Sequence, residues 1–418
     1  NIRKILIMTT CIQKCRSCNS TNIEVVFDLG EQVLTGVFQK EALDDISSGP
    51  VALVACNECR LVQMQYSYPL DEMYNDGYGY QSGLTLFMSQ HLKGVLSFAS
   101  DQITLKKGDH VLDIGCNDGT LLSHYPKNLY SLIGIDPVAK KYLDRYPKDA
   151  KVVTEFFSKE SYFSVASNKA KIVTSISMFY DLEDPVTFAK SISSVLSEDG
   201  VWVFEQSYLP AMLRTNSYDT ICQEHVEYYS LAAIQYILQQ AGMTIVDASQ
   251  NEVNGGSIRL AAVHESSALA SKISPEASWL IKQEKNHDIF SNQPWIDFQN
   301  NVARQKLDLV NLLTELKTAG KTVIGYGAST KGNVILQYCG IGPDLLPLIG
   351  DITPSKDGVF TPGSKIPVIS MEKAKAMKPD YFLVLPWGFR GDILLREKET
   401  IANGTKFIFP LPFVEIVS

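Results

Sequence analysis

Short apolar runs punctuate the chain, and each is followed by a turn and then by a helical period. Phe27-Asp-Leu-Gly30 and the apolar run Val51 to Ala55 predict strands of a small N-terminal sheet. Further strands are predicted at His110-Val-Leu-Asp113-Ile, Leu132 to Ile135, Lys171 to Ser177 and Gly200 to Glu205, with helical stretches at Leu84 to Phe98 and Leu231 to Gln240. Ser230 stands where an N-cap for the second helix belongs. Residues 275 to 318 read as largely helical, with Leu307, Val310, Leu313 and Leu316 at helical spacing. A second strand–turn–helix opens at Lys321-Thr-Val-Ile-Gly325-Tyr-Gly327, followed by strands at Leu348 to Gly350 and Tyr381 to Leu385. Strands alternating with helices predict an α/β protein with parallel sheets covered on both faces. Three blocks result: 1–69, a small lobe; 70–267, a Rossmann-like domain; and 268–418, a second Rossmann-like domain.

Composition narrows the class. At 418 residues the chain is long enough for two to three domains, and 45% hydrophobic with 20% charged residues fits a folded, core-forming protein. Thirty-eight Lys and Arg against 46 Asp and Glu give a net charge of −8, which opposes a broad grip on a phosphate backbone. A nucleic-acid binder is therefore disfavoured. No apolar stretch approaches the ~20 residues of a bilayer span, so no membrane association is expected. The apolar core of the first ten residues is only Ile5 to Met8, so no secretory signal is expected and the location predicted is cytoplasmic.

Eight cysteines are unevenly placed: Cys11, Cys15, Cys18, Cys56 and Cys59 crowd the first sixty residues, while Cys116, Cys222 and Cys339 are scattered. Cys15-Arg-Ser-Cys18 and Cys56-Asn-Glu-Cys59 are two C-x-x-C pairs. Four thiolates close a tetrahedral shell around zinc and leave no position for water, so the site is structural. Cys11 is left without a role.

The first Rossmann-like turn reads Asp113-Ile-Gly115-Cys-Asn117-Asp118-Gly119, and the next strand ends at Asp136. Glycines let the backbone approach a ligand, and an acid at the second strand end can take a ribose diol. The spacing is G-x-x-x-G rather than the dinucleotide G-x-G-x-x-G. This pattern resembles the class I S-adenosylmethionine-dependent methyltransferases. The resemblance implies a cofactor site formed by Asp113, Gly115, Asn117, Gly119 and Asp136, with Met178, Phe179, Tyr78 and Ser82 beside it.

After the fourth strand of this block comes Ser217-Tyr218-Asp-Thr-Ile-Cys222-Gln223-Glu224-His225-Val-Glu-Tyr228-Tyr229-Ser230. A loop at the carboxyl end of a parallel sheet faces the ligand crevice, and a histidine there suits general-base work. E-H-x-x-Y-Y-S in this position resembles the sugar C-methyltransferases, which act at C-3 of nucleotide-linked 4-keto-6-deoxysugars. The two cysteine pairs and the C-terminal Rossmann-like block match the same family, so the resemblance covers almost the whole chain. It implies His225 as base, with Glu224 and Tyr228 or Tyr229 orienting the base or sugar. Tyr80, Asn254, Ser257, Arg259, Ser329, Lys331 and Asn333 become substrate-binding candidates, S-adenosyl-L-methionine and structural zinc the cofactors, and a nucleotide-sugar the partner. The chain departs from the family at Cys222 and Gln223, where tyrosine and histidine are usual, and at Met178-Phe179-Tyr180-Asp181, where a histidine is often found. O-methylation of a nucleotide sugar stands as an alternative, and an NAD-dependent oxidoreductase using the Gly325-Tyr-Gly327 turn as a lesser one. The oligomeric state stays open, and a monomer is compatible with the sequence.

Overall fold

A computed structural model describes residues 9–42, 46–69 and 81–418. The segments that carry Ile5 to Met8 and Tyr78 with Tyr80 lie outside the described residues.

The N-terminal lobe contains strands β1 (Thr10–Cys11), β2 (Ile23–Val33), β3 (Ser48–Cys56), β4 (Val62–Met64) and β5 (Tyr66–Ser67). β2, β3 and β4 pair antiparallel, and β1 pairs with β5. The two expected strands thus lie within β2 and β3. Cys56 ends β3 and Cys59 sits on the tight connection from β3 to β4.

Numbering helices of ten residues or more, the central region holds α1 (Leu86–Gln102), β6 (His110–Ile114), β7 (Ser131–Ile135), β8 (Lys151–Val153), β9 (Ala170–Ile176), α2 (Pro185–Val195), β10 (Leu196–Ser207), β11 (Glu227–Tyr228), α3 (Leu231–Gln240), β12 (Met243–Asn251) and β13 (Ser257–His264). Its seven-stranded sheet runs β12-β13-β10-β9-β6-β7-β8. The sheet is not wholly parallel as expected: β13 runs against both of its neighbours. The connection from β12 to β13 spans only residues 252–256, enough for a hairpin and too short for a parallel crossover. Trp202 and Phe204 of β10 face α2 and α3, while Val201 and Val203 face Leu92 and Val95 of α1. Ser230 caps α3 as its sequence position implied, its hydroxyl accepting from Ala233 N.

The last region holds α4 (Pro275–Asn286), α5 (Asn292–Thr318), β14 (Val323–Tyr326), α6 (Thr330–Cys339), β15 (Ile349–Asp351), β16 (Val368–Ser370), β17 (Tyr381–Val384), β18 (Lys406–Phe409) and β19 (Glu415–Val417). The sheet order is β16-β15-β14-β17-β18-β19, parallel except for β19. Along α5 the core stripe is Val302, Gln305, Leu309 and Leu313. Leu307, one of the four leucine and valine positions at helical spacing, lies off that stripe and is exposed.

The three regions interlock. β11 leaves the central region and pairs with β4, so the N-terminal sheet reads β11-β4-β3-β2. Phe298 of α5 packs edge-on against Phe27 of β2, with ring centroids 4.8 Å apart. Glu284 of α4 accepts from Leu231 N and Ala232 N at the start of α3 and from the Tyr208 hydroxyl. Gln39 and Phe360 exchange backbone hydrogen bonds between the first and last regions.

Candidate active site

The two cysteine pairs predicted to hold metal converge. The sulfur atoms of Cys15, Cys18, Cys56 and Cys59 all lie within 4.8 Å of one another. Cys15 and Cys59 are 3.5 Å apart, as are Cys18 and Cys56. A zinc ion ~2.3 Å from each thiolate sets tetrahedral sulfurs about 3.8 Å apart, so the cluster fits zinc with little rearrangement.

The first turn of the central sheet is built for close approach. Gly115 and Gly119 sit at φ +70° and +77°. Those are conformations that glycine enters at little cost. A Cβ on Gly119 would also strike the Tyr146 ring. Tyr146 in turn donates its hydroxyl to Asn117 O at 2.7 Å and pins the turn. Asp136 accepts from Asn117 N at 2.8 Å through one oxygen and from Val138 N at 2.7 Å through the other. A carboxylate offers about four lone-pair sites, so two remain for a ribose diol. Asn117 Oδ1 accepts from Ser82 N at 3.0 Å, and Met178 packs against Gly115. Gly115, Asn117, Gly119, Asp136, Ser82 and Met178 are thus one contiguous surface with the chemistry to hold an adenosyl group. Asp113 lies beneath it, buried, accepting from the Thr174 hydroxyl at 2.6 Å. Burial pushes its carboxyl up to about 7, with the Asp136 charge adding to the shift. Phe179 is elsewhere, in the core between Tyr229, Trp202 and Phe204.

The segment after β10 supplies the second wall. His225 Nδ1 lies 2.8 Å from Thr220 O, and that carbonyl can only accept. Nδ1 therefore carries the hydrogen, which assigns the lone pair to Nε2. The Tyr180 ring meets the imidazole edge-on at 4.5 Å. Burial first, and then the Lys331 charge, hold the imidazole down to about 3, so it rests neutral. Glu224 is pushed up to about 7 by burial. Its carboxylate lies against the backbone of the N-terminal lobe at Gly36, where a Cβ would overlap it.

Lys331 reaches this wall from α6. Its ammonium donates to Asn254 O at 3.1 Å and is itself lowered by burial. Asp219 stands behind, accepting from Trp387 Nε1 at 2.8 Å. Burial raises Asp219 to about 6 against the pull of Lys331. The Asn254-Gly255-Gly256 turn is pressed under the Trp387 ring, which a Cβ on Gly255 would strike. Lys331 and Asn254 are therefore brought together, the Lys331 charge acts on His225, and Glu224, next in sequence to His225, faces Gly36. Asp219, Trp387, Tyr180, Thr220 and Gly36 join them without having been assigned from sequence. Asp219 stood inside the segment already singled out, and Trp387 followed a predicted strand, so both signals were present.

Other candidates have different partners. Tyr228 is buried, and its hydroxyl approaches the same Thr220 carbonyl at 3.4 Å. Tyr229 stacks on Phe179 and pairs with Glu227 inside the core. Ser257 donates to Val253 O and shapes its own turn. Arg259 is held by Glu205 at 2.8 Å, with His91 on the other oxygen of that carboxylate. Ser329 caps α6 by accepting from Gly332 N, and Asn333 donates to Thr35 O at 2.7 Å across the junction with the N-terminal lobe.

Three family models match in succession: a zinc binding domain over residues 15–74, a methyltransferase domain over 85–248 and a C-methyltransferase C-terminal domain over 252–412. The C-methyltransferase NovU of Streptomyces niveus is 28% identical over 413 residues, covering 97% of each chain. Among solved structures, the N-methyltransferase NodS of Bradyrhizobium japonicum WM9, in complex with S-adenosyl-L-homocysteine, is 16% identical. It covers 45% of this chain and 92% of its own at a TM-score of 0.33. An S-adenosylmethionine-dependent methyltransferase from Clostridium acetobutylicum ATCC 824 is 12% identical and covers 41% of this chain and 90% of its own, with a TM-score of 0.32. Among the described residues no helix is long and apolar enough to cross a membrane. A zinc binding domain, a methyltransferase domain and a C-methyltransferase C-terminal domain thus follow one another along a chain similar to NovU over nearly its whole length, and the protein is an S-adenosylmethionine-dependent methyltransferase.

Proposed function

We propose that the protein methylates carbon C-3 of a nucleotide-linked 4-keto-6-deoxysugar, with His225 as the base. The observation that carries this reading is His225, held through Nδ1 by Thr220 O so that its Nε2 lone pair is left available, with the buried ammonium of Lys331 close enough for its charge to act on the imidazole. A ketone acidifies the neighbouring C–H because the carbanion is delocalised onto oxygen. Such a step needs a base for the proton and a cation for the oxygen, and an O-methyl transfer needs only the first. Bound S-adenosylmethionine supplies the electrophilic methyl group.

His225 Nε2 takes the C-3 proton. Thr220 O keeps the imidazole oriented through Nδ1 and shares the imidazolium charge that forms. Lys331, with one of its three N–H groups on Asn254 O, directs the others at the enolate oxygen. Asp219 balances the resting lysine charge. Glu224 holds sugar hydroxyls on the face closed by Gly36. Positioning of the enolate carbon in line with the methyl group is the remaining task of the cleft.

Incubation of a dTDP-linked 4-keto-6-deoxysugar in D2O tests the assignment. Wild-type protein is expected to exchange the C-3 hydrogen, and His225→Ala to lose exchange while keeping its affinity for S-adenosylmethionine. Normal exchange in His225→Ala dismisses the base. A second reading has its own observation: Glu224, near 7, is the stronger base of the two at rest. Loss of exchange in Glu224→Gln with retention in His225→Ala would transfer the role. Carbon NMR of the product separates C- from O-methylation.

A further inference from the structure

We infer that Arg16, the residue after the first zinc-site cysteine, is a positioning residue that fixes the segment bearing His225 from both sides. The functional part of this inference rests on the reading of His225 as base. Arg16 has a side chain only 4% exposed, although it belongs to a small lobe remote from the sheet turn that holds the cofactor. Its guanidinium makes an unusual number of specific contacts. Nη1 donates to Met64 O at 2.6 Å, Nη2 to the Ser67 hydroxyl at 2.9 Å, and Nε to Glu183 at 2.6 Å. Its backbone N–H donates to Gln63 Oε1 at 2.9 Å.

These contacts lead to the two walls of His225. Met64 and Gln63 belong to β4, and β4 is the strand on which the catalytic segment is laid. Met64 N donates to Val226 O at 2.8 Å, Gln63 faces Glu227, and Val62 faces Tyr228. Residue 226 is therefore held by the N-terminal sheet, one residue from the imidazole. Glu183 follows the turn Phe179–Asp181 of the central region. In that turn Tyr180 accepts from Val226 N through its carbonyl, and its ring packs on His225. One guanidinium thus ties the strand behind His225 to the turn in front of it.

The place of Arg16 follows from the metal site. Residues 15 to 18 form a tight knuckle whose two thiols point into the four-sulfur cluster. Four thiolates on one zinc fix the backbone at residue 16 and so fix the origin of the guanidinium fork. A planar fork bound to several acceptors at once is specific in direction as well as strong. The zinc lobe then has a task beyond its own stability: its knuckle sets the height of the catalytic strand. Zinc takes no part in the reaction itself.

The test uses the full-length, zinc-loaded protein and the variants R16M and R16K. Backbone amide exchange of segment 222–230 is read against that of α1 as an internal reference. Methyl-transfer kinetics and calorimetric affinity for S-adenosylmethionine are measured in parallel. R16M is expected to raise exchange in 222–230 about tenfold or more while α1 is unchanged, the scale of losing one or two buried charge-assisted hydrogen bonds. kcat should fall by a comparable factor, with cofactor affinity within about twofold of wild type. R16K keeps the charge but loses the fork, so a smaller change in the same segment is expected. If R16M does not fold, R16K decides by the same comparison. Unchanged exchange in 222–230, or an equal rise in α1, overturns the positioning role and leaves His225 standing as base. Full activity of His225→Ala overturns the base and leaves the exchange result standing.

Discussion

The central and C-terminal sheets open with turns wired alike and filled differently. Gly115 N donates to Ile135 O at 2.9 Å, and Gly327 N to Gly350 O at 2.7 Å. The acid that follows each acceptor residue closes the turn: Asp136 takes Asn117 N and Val138 N, and Asp351 takes Ala328 N and Thr353 N, both at 2.7 Å. Beyond this frame the two diverge. In the C-terminal turn Lys356 donates to Ala328 O at 2.5 Å and covers the Phe38 ring, so a cation of the chain itself occupies the turn. Two residues before the glycine, the central strand carries buried Asp113, facing Gly134. The C-terminal strand has Gly325 there, facing Ile349, and any Cβ would strike that side chain. Shared backbone wiring is therefore a property of the fold, and ligand chemistry is decided by what lies over it. The C-terminal domain contributes through α6 instead, whose Lys331 donates to Asn254 O of the central region and whose Asn333 reaches the N-terminal lobe.

This contrast can be broken most directly at the two acids. Asp136→Ala is expected to weaken S-adenosylmethionine binding about 100-fold, from loss of charge-assisted bonds to backbone and ribose. Asp351→Ala should leave that affinity within about twofold and lower the melting temperature, because its bonds serve the turn alone. Equal losses of affinity by calorimetry would erase the distinction. Next in size, Lys331→Met should reduce kcat by roughly 100-fold, the scale of removing one oxyanion donor, while cofactor affinity holds. A fall in cofactor affinity instead would move Lys331 to the binding side. The smallest effect concerns Asp113, whose folded value of about 7 stands above its ordinary 3.8. A raised carboxyl contributes stability at low pH that is lost as pH climbs through about 7. The loss accrues between about pH 3.8 and 7, so Asp113→Asn, which keeps an acceptor for Thr174, should gain more melting temperature relative to wild type at pH 8 than at pH 4. A pH-independent difference would contradict the burial of that charge.

Features with a local cause were legible in the sequence. Cys15, Cys18, Cys56 and Cys59 declare themselves by spacing, Gly115 to Gly119 by the conformations glycine permits, and Ser230 by the step from loop to helix. Features that need distant partners were not. Tyr228 and Tyr229 read as cleft residues, but β11 is drawn into the N-terminal sheet with Tyr228 buried, and Tyr229 just after it is buried against Phe179. Ser329 and Asn333 sit at a turn that resembles an anion site, yet one caps its own helix and the other bridges to Thr35. Nothing near Gly36 in sequence announces Glu224, 188 positions later, because their approach depends on the interlocking of all three regions.

The borrowed strand β11 also limits how enzymes of this architecture could be recombined. A chimera that exchanges residues 1–69 alone would graft a sheet lacking its own edge partner onto a foreign seam at Gln63–Glu227 and Val62–Tyr228. Crossover sites compatible with folding must move residues 222–230 together with the lobe, so the stretch that reads as the heart of the central domain is inherited, structurally, with the N-terminus.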